Sequence, residues 1–379
     1  MKRLFFTCCV LTSVLCSCNN DAEQIADNGE SASLQLTIAG ATTRATGTNL
    51  PTTAEENVVT RVTVALFKPD GSTDAISEGT LDGNNKIMVN GTAGARDVIV
   101  VANAPAAHFK GVTTKDAFRK TVMTLTQNKT LLPMSGETAA AITLKGGETV
   151  TGSVTITRLV ARVQLVSVKT AFDANGPYAN ASFSLDKVFL YRVKSQSQAG
   201  IVPPATAPVT TDLIDGWDGT TAVTASADLL DVFPAAQTIG TTPYEVPYYF
   251  YAFENYFAND GTVTHGITND NKTTATKLVL AGYFTPDAVN APGTSYYVFY
   301  PAVVNRSQAY TIINADDNGT PVVTGVSNTG IAANSIYSLK AIIKSRGVDS
   351  PAEFMEPAGL ELEVLIAPWK LTVTQEVDF

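Results

Sequence analysis

Beyond Cys18 this 379-residue chain has no cysteine, its four standing at positions 8, 9, 16 and 18. Disulfides, thiolate metal sites and cysteine nucleophiles are thereby excluded from everything downstream. Histidine is almost as scarce: His108 and His265 are far apart, and neither has a second histidine, cysteine or acidic cluster at ligand spacing. No metal and no cofactor are expected. Only 16% of residues are charged, the formal net charge is −9, and no run of Lys or Arg follows the first three residues. Such a chain offers no electrostatic footprint to nucleic acid. No G-x-S-x-G elbow, phosphate-binding P-loop or H-E-x-x-H pair occurs. Catalysis is not expected, and a glycosidic pair of carboxylates would depend on a spatial separation that sequence does not supply.

What is abundant is Thr, Val, Ala, Asn and Gly, within a hydrophobic fraction of 45%. That mixture favours strands and turns over charged amphipathic helices, so an all-β fold is predicted. The length suits two cores better than one.

The amino terminus is an address. Met1-Lys-Arg, the apolar run Leu4 to Val14 and the small residues after it have the organisation of a secretory signal, too short to span as a membrane helix. Leu15-Cys16-Ser17-Cys18 then places a branched apolar residue three before a cysteine and a small one directly before it. This is lipobox spacing, and Cys18 is the expected lipidated residue, holding the precursor to a membrane through buried acyl chains. Cys16 fits less well because Ser13 would occupy its −3 position. Residues 1–18 are therefore a lipoprotein signal, and Asn19 to Ser33, polar and acidic, read as a tether.

Leu34, Leu36 and Ile38 alternate with Gln35, Thr37 and Ala39, a strand with one apolar face. The loop from Gly40 that follows contains Arg44-Ala45, where a lone basic residue in extended backbone suits a protease cleft as well as an ordinary solvated turn. Strands are predicted over 58–67, 86–89, 98–102, 141–144, 148–156 and 160–168. A helix is predicted over 115–126, capped at Thr113-Thr114. Leu132 to Gly136 reads as a tight turn, and Arg158 and Arg162 as two arginines on one strand face seeking acidic neighbours. Ala174-Asn-Gly-Pro177 is the expected domain break. Beyond it, strands are predicted over 183–193, 248–254, 277–284, 296–304, 336–344 and 360–366, with 195–228 a loop excursion.

The last nine residues put Leu371, Val373, Val377 and Phe379 on one face, interrupted only by Gln375. A clean amphipathic strand running to the final residue requires a partner, either within the chain or on a neighbouring one. An intramolecular edge and a strand donated to another subunit both satisfy the pattern.

Taken in order, Cys18, Arg44-Ala45, Val100-Val-Ala-Asn-Ala-Pro105, Leu132 to Gly136, Arg158 to Leu165, Phe250 to Asn255 and Ala367-Pro-Trp369 resemble the fimbrillin family of Bacteroidetes, the type V pilins. The resemblance spans nearly the whole chain. It implies two transthyretin-like β-sandwich domains in tandem, over 45–175 and 176–379, with a donor strand at 370–379. It further implies that 19–44 is a propeptide removed after Arg44 by an arginine-specific protease, taking the Leu34 to Ile38 strand with it. The implied partners are other copies of the chain, accessory fimbrial subunits and outer-membrane lipid. The product would be an adhesive fimbria at the cell surface. An anchor or tip subunit is the nearest variant. A monomeric surface lipoprotein binding glycans or host proteins is the alternative from another class, with Tyr248 to Tyr251 and Tyr296-Tyr297 as stacking platforms.

Overall fold

The structure is a computed structural model describing residues 29–39, 53–200, 212–217, 224–225, 227–256, 274–304, 310–315, 321–324, 330–353, 355 and 360–368. Its first part runs β1 (Ser31–Ala39), α1 (Thr53–Glu56), β2 (Val62–Phe67), β3 (Thr73–Gly79), β4 (Lys86–Thr92), β5 (Gly94–Ala102), α2 (Lys115–Arg119), β6 (Val122–Thr124), β7 (Met134–Glu137), β8 (Ile142–Leu144), β9 (Thr149–Thr155) and β10 (Thr157–Arg158). There follow β11 (Val160–Thr170), β12 (Ser182–Tyr191), β13 (Val193–Lys194), β14 (Gln196–Gln198), β15 (Leu213–Asp215), β16 (Thr224–Ala225), β17 (Leu230–Ile239), β18 (Tyr244–Phe253) and β19 (Asn255–Tyr256). The last are β20 (Lys277–Thr285), β21 (Tyr296–Val303), β22 (Tyr310–Ala315), β23 (Pro321–Thr324), β24 (Gly330–Ile331), β25 (Ser335–Ile343) and β26 (Leu360–Pro368). The fold is all-β, as the composition predicts.

Two large cores organise these strands. In the first, a sheet of order β4-β1-β9 and a sheet of order β10-β7-β5-β2-β3 contribute side chains to one cluster, among them Leu34, Leu36, Val64, Leu66, Ile99 and Val101. In the second, sheets of order β18-β11-β25-β26-β22-β23 and β17-β12-β20-β21 enclose Val163, Leu165, Val188, Leu190, Leu280 and Leu339. Alternation along each strand sends one set of side chains inward, the arrangement of packed sheets.

At β11 the two cores meet. Ala161, Val163 and Leu165 face the second core, whereas Val160 belongs to the first. Its neighbour β18 divides likewise, with Phe250 and Ala252 on one side and Tyr251 and Phe253 on the other. A strand covered on both faces has no solvent side, and every residue of β11 from Val160 to Leu165 is buried, Arg162 and Gln164 included. The chain thus enters the second core from Ala161 onward. The break at Ala174 to Pro177, where the sequence predicts a domain boundary, is a turn between β11 and β12 inside that core.

Other expectations are corrected locally. The helix begins where predicted, Thr114 Oγ1 accepting from the Ala117 amide at 3.2 Å, but it ends at Arg119. Val122–Thr124 instead pairs with β14, because β-branched residues favour an extended backbone and Met123 is buried there. The segment 195–228 holds β14, β15 and β16 rather than loop alone. Leu132 to Gly136 runs into a strand, not a tight turn: a Cβ on Gly136 would lie 2.1 Å from the Thr155 carbonyl oxygen. Glycine permits that approach of two backbones.

Candidate functional site: the first strand and its groove

Strand β1 occupies the middle of its sheet. It runs antiparallel to β4, with Leu34 opposite Val89 and Leu36 opposite Ile87. On its other side it runs parallel to β9, with Leu34 beside Val150 and Leu36 beside Gly152. The alternation read from the sequence is realised: Ala32, Leu34, Leu36 and Ile38 are buried, while Ser33, Gln35 and Thr37 lie on the outer face. The strand begins at Ser31, so Ala32 joins the buried set, a member the sequence reading left in the tether.

Backbone bonds pin both ends. The Ser33 amide donates to the Glu148 carbonyl at 3.0 Å and the Ile38 amide to the Asn85 carbonyl at 3.1 Å. Ser31 accepts from the Gly147 amide at 2.8 Å, and Ala39 accepts from the Ile156 amide at 3.0 Å. Burying Leu34, Leu36 and Ile38 stabilises the fold by about 1.5–3 kcal/mol each. A strand so placed, once withdrawn, leaves two unpaired edges and an apolar trough between them.

The two ends of the groove differ in chemistry. Around Ala32 a cavity of about 570 Å³ is lined by Asp74, Asn90, Thr92, Glu148 and Thr149 among others. Asp74 there accepts from Arg96 Nε at 2.9 Å, from the Thr92 amide at 2.9 Å and from the Thr92 hydroxyl at 2.7 Å. Arg96 is fully buried and also donates to the Ala93 and Ala95 carbonyls at 3.1 and 2.7 Å. Burial would raise the Asp74 pKa, but the Thr92 and Arg96 hydrogen bonds together outweigh it and hold the carboxyl below its ordinary value. Further along, the groove is apolar, and Gly152 presents no side chain: a Cβ there would stand 3.6 Å from the Leu36 methyl and 2.5 Å from that of Ile142.

A second polar cluster joins α1 to the junction of the cores. Glu56, buried at the end of α1, accepts from Arg162 Nη1 at 2.9 and 2.8 Å and from the Tyr251 hydroxyl at 2.8 Å. Arg158 donates to the Glu56 carbonyl and to the Asn57 side chain, and burial first of all pushes its pKa down to about 9. Sequence spacing placed both arginines on one strand. In the structure they belong to β10 and β11 and converge on an acid about a hundred residues earlier.

Of the residues singled out in the sequence, Leu34, Leu36 and Ile38 are brought together in the groove. Cys18, Arg44, Ala45, Leu371, Val373, Val377 and Phe379 lie outside the described residues, as do His265 and Trp369. His108 is bound to structure: its Nε2 lies 2.8 Å from the Val122 carbonyl and its ring meets Phe109 edge-on. Tyr251 is buried and turned toward Glu56, so it is no stacking platform. Among the described residues no group of three His, Cys, Asp or Glu gathers, and no helix is long and apolar enough to cross a membrane. The sequence reading missed Ala32, Gly152, Asp74 and Arg96. The alternation extends back to Ala32, but nothing local signals the others.

An all-β chain with a buried central strand near its amino terminus is the class that these features define. The resemblance to the fimbrillin family is borne out: residues 32–192 match the family described as major fimbrial subunit protein (FimA). The fold is shared with a candidate cell adhesion protein of Bacteroides eggerthii DSM 20697, at 23% identity and a TM-score of 0.64, covering 92% of this chain and 98% of that one. It is shared also with a fimbrilin (FimA) of Porphyromonas gingivalis W83, at 18% identity and a TM-score of 0.62, covering 92% and 100%. A candidate cell adhesion protein of Parabacteroides distasonis ATCC 8503 has 19% identity and a TM-score of 0.64, with 90% and 100% covered. No curated protein sequence matches the chain.

Proposed function

We propose that this chain is a structural subunit of a cell-surface fimbria that works by polymerising. It is exported as a lipoprotein through Cys18, held at the outer membrane by its acyl chains, and activated when an arginine-specific protease cuts after Arg44. Release of residues 19–44 withdraws β1, and the C-terminal strand of another copy, carrying Leu371, Val373, Val377 and Phe379, takes its place. Accessory fimbrial subunits begin and end the fibre, which supports adhesion. The mature chain is read as two transthyretin-like sandwich units.

The observation that carries this reading is the position of β1. A strand buried in the centre of its sheet, with four inward side chains, is followed by a stretch from Gly40 to Thr52 whose only charged residue is Arg44. One cut therefore separates the strand from the rest of the fold. The exposed groove presents backbone donors and acceptors on both sides and apolar pockets at alternate positions, which is what an incoming strand requires.

The test is the mature amino terminus, together with the size distribution of undenatured gel samples from the native cell surface. An amino terminus at Ala45 and a ladder of multimers that collapses on boiling are expected. An acylated Cys18 on a chain that never forms a ladder would overturn the stalk role.

A further inference from the structure

We propose that the fold confines arginine-directed cleavage to Arg44 by holding every described arginine in tied-down backbone and leaving the described open loops without one. This rests on the reading above in which a cut after Arg44 activates the chain, and it concerns what that cut spares.

A protease takes several residues of extended backbone into its cleft. A bond is therefore cut where exposed loop can be drawn out, and spared where strands or caps hold it. Among the described residues every arginine is buried or half-buried, whereas Lys110, Lys120, Lys145 and Lys340 are exposed. Arginine's planar fork suits buried ion pairs in any protein, so Arg96, Arg158 and Arg162 alone decide little. The others decide it, because each stands at the end of an element or between two, where nicking usually falls.

Arg61 lies directly before β2, a strand paired on both sides, and its carbonyl accepts from the Asn103 amide at 2.9 Å. Arg119 closes α2 with Nη2 2.6 Å from both carboxylate oxygens of Glu137, and its carbonyl accepts from the Gly200 amide at 2.9 Å. A Cβ on Gly200 would lie 2.7 Å from that of Arg119, so the two segments are pressed together. Between β12 and β13, the Arg192 amide donates to Asp215 Oδ1 at 2.7 Å and its carbonyl accepts from the Thr276 hydroxyl at 2.7 Å. Arg346, between β25 and β26, pairs with Asp349 and stacks 5.2 Å over the Tyr296 ring. Val348 exchanges backbone bonds of 2.8 and 2.9 Å with Phe299, which lays the segment after Arg346 against β21.

The open loops lack the residue. The longest exposed run among the described residues, Val289-Asn-Ala-Pro-Gly-Thr-Ser-Tyr296, has no basic side chain, and neither do the exposed stretches 82–84, 105–107, 173–175 and 240–243. Positive charge itself is tolerated outside, as Lys110 and Lys145 show. Hydrolysis at Arg44 adds one water across one peptide bond, leaving a carboxylate on Arg44 and an amino group on Ala45. The same step at a held arginine would first require an ordered element to open.

The full precursor, carrying Arg306→Lys because Arg306 lies outside the described residues, is treated under native conditions with an arginine-specific endoproteinase, and the fragments are identified by mass. Gly293→Arg and Gly293→Lys are compared on the same background. A Cβ at Gly293 meets nothing within 4 Å, so both variants should fold, which equal melting temperatures verify. Cleavage is expected after Arg44 in all three, after residue 293 only in Gly293→Arg, and at no described native arginine in the time that exhausts the Arg44 bond. Comparably fast cleavage at Arg61, Arg119, Arg192 or Arg346 would overturn the inference. So would a Gly293→Arg chain left intact at that position, since protection would then come from the fold as a whole rather than from where its arginines stand. A chain cut at position 293 but not after Arg44 would instead overturn the activation reading and leave the holding of the other arginines intact.

Discussion

The guanidinium of Arg162 and the carboxylate of Glu56, each about 1% exposed, face one another across the junction of the two cores at 2.8 Å. This ion pair ties α1, the first described element after β1, to β11. Removing one partner leaves the other charged and buried, which costs about 3–5 kcal/mol. Glu56→Ala should lower unfolding stability by that amount in urea titration, and Arg162→Met by a similar amount. The double variant should lose much less than their sum, since neither charge is then stranded.

Leu36 tests the proposed release of β1. It is fully buried, so Leu36→Ala should destabilise the precursor by about 2–5 kcal/mol. On the proposed cleavage after Arg44, the substitution leaves with residues 19–44. Thermal unfolding should therefore reveal a weakened precursor and a mature fibre indistinguishable from wild type. Equal destabilisation of both would mean that β1 stays in place.

Gly136 tolerates no side chain. A Cβ would sit 2.1 Å from a backbone oxygen of Thr155, where no rotamer change relieves the clash. Gly136→Ala should cost more than about 3 kcal/mol, at the severe end for a single methyl group. Soluble expression and the urea midpoint measure it.

Lys277 gives the second core a pH dependence. Its ammonium donates to the carbonyls of Pro351, Ala352 and Glu353 at 3.3, 2.9 and 3.1 Å. Burial first, then Arg192, push its pKa down to about 7, against the opposing pull of Asp215 and Glu353. The unfolded chain keeps that proton up to its ordinary value of 10.5. Between the two values the unfolded state binds more protons, so this group adds stability as pH rises. The cost of charging it in the fold is complete below about pH 7. Urea unfolding at pH 7 and pH 9 should show wild type gaining relative to Lys277→Met; a constant difference between the two proteins would contradict it.

Local signals in the sequence translated well. Leu34, Leu36 and Ile38 declare a strand through alternation alone, and Thr114 declares a helix start through its hydroxyl. Non-local facts did not. That β1 lies between β4 and β9 depends on pairings distant in sequence, and no property of Thr149 to Thr155 by itself names its neighbour. The end of α2 was misjudged because Ala117, Phe118, Val122 and Leu125 fit a helical face, whereas pairing with β14 decides the backbone. Asn103, which a motif string included without a role, holds the Val58 and Leu132 carbonyls through its side-chain amide and sits at φ 60°. Only the tertiary contacts explain it. Strand β3 went unnoticed because TDAISEG, at a sheet edge, has no apolar alternation.

The mixed pairing of β1 has a kinetic side. Its antiparallel neighbour arrives about fifty residues later in the chain and its parallel neighbour more than a hundred. Closing loops of that length is slow compared with forming hairpins such as β2–β3. The first described strand is then expected to be among the last to dock. Under the strand-exchange proposal, a scaffold that waits for its own first strand is suited to receive one from elsewhere.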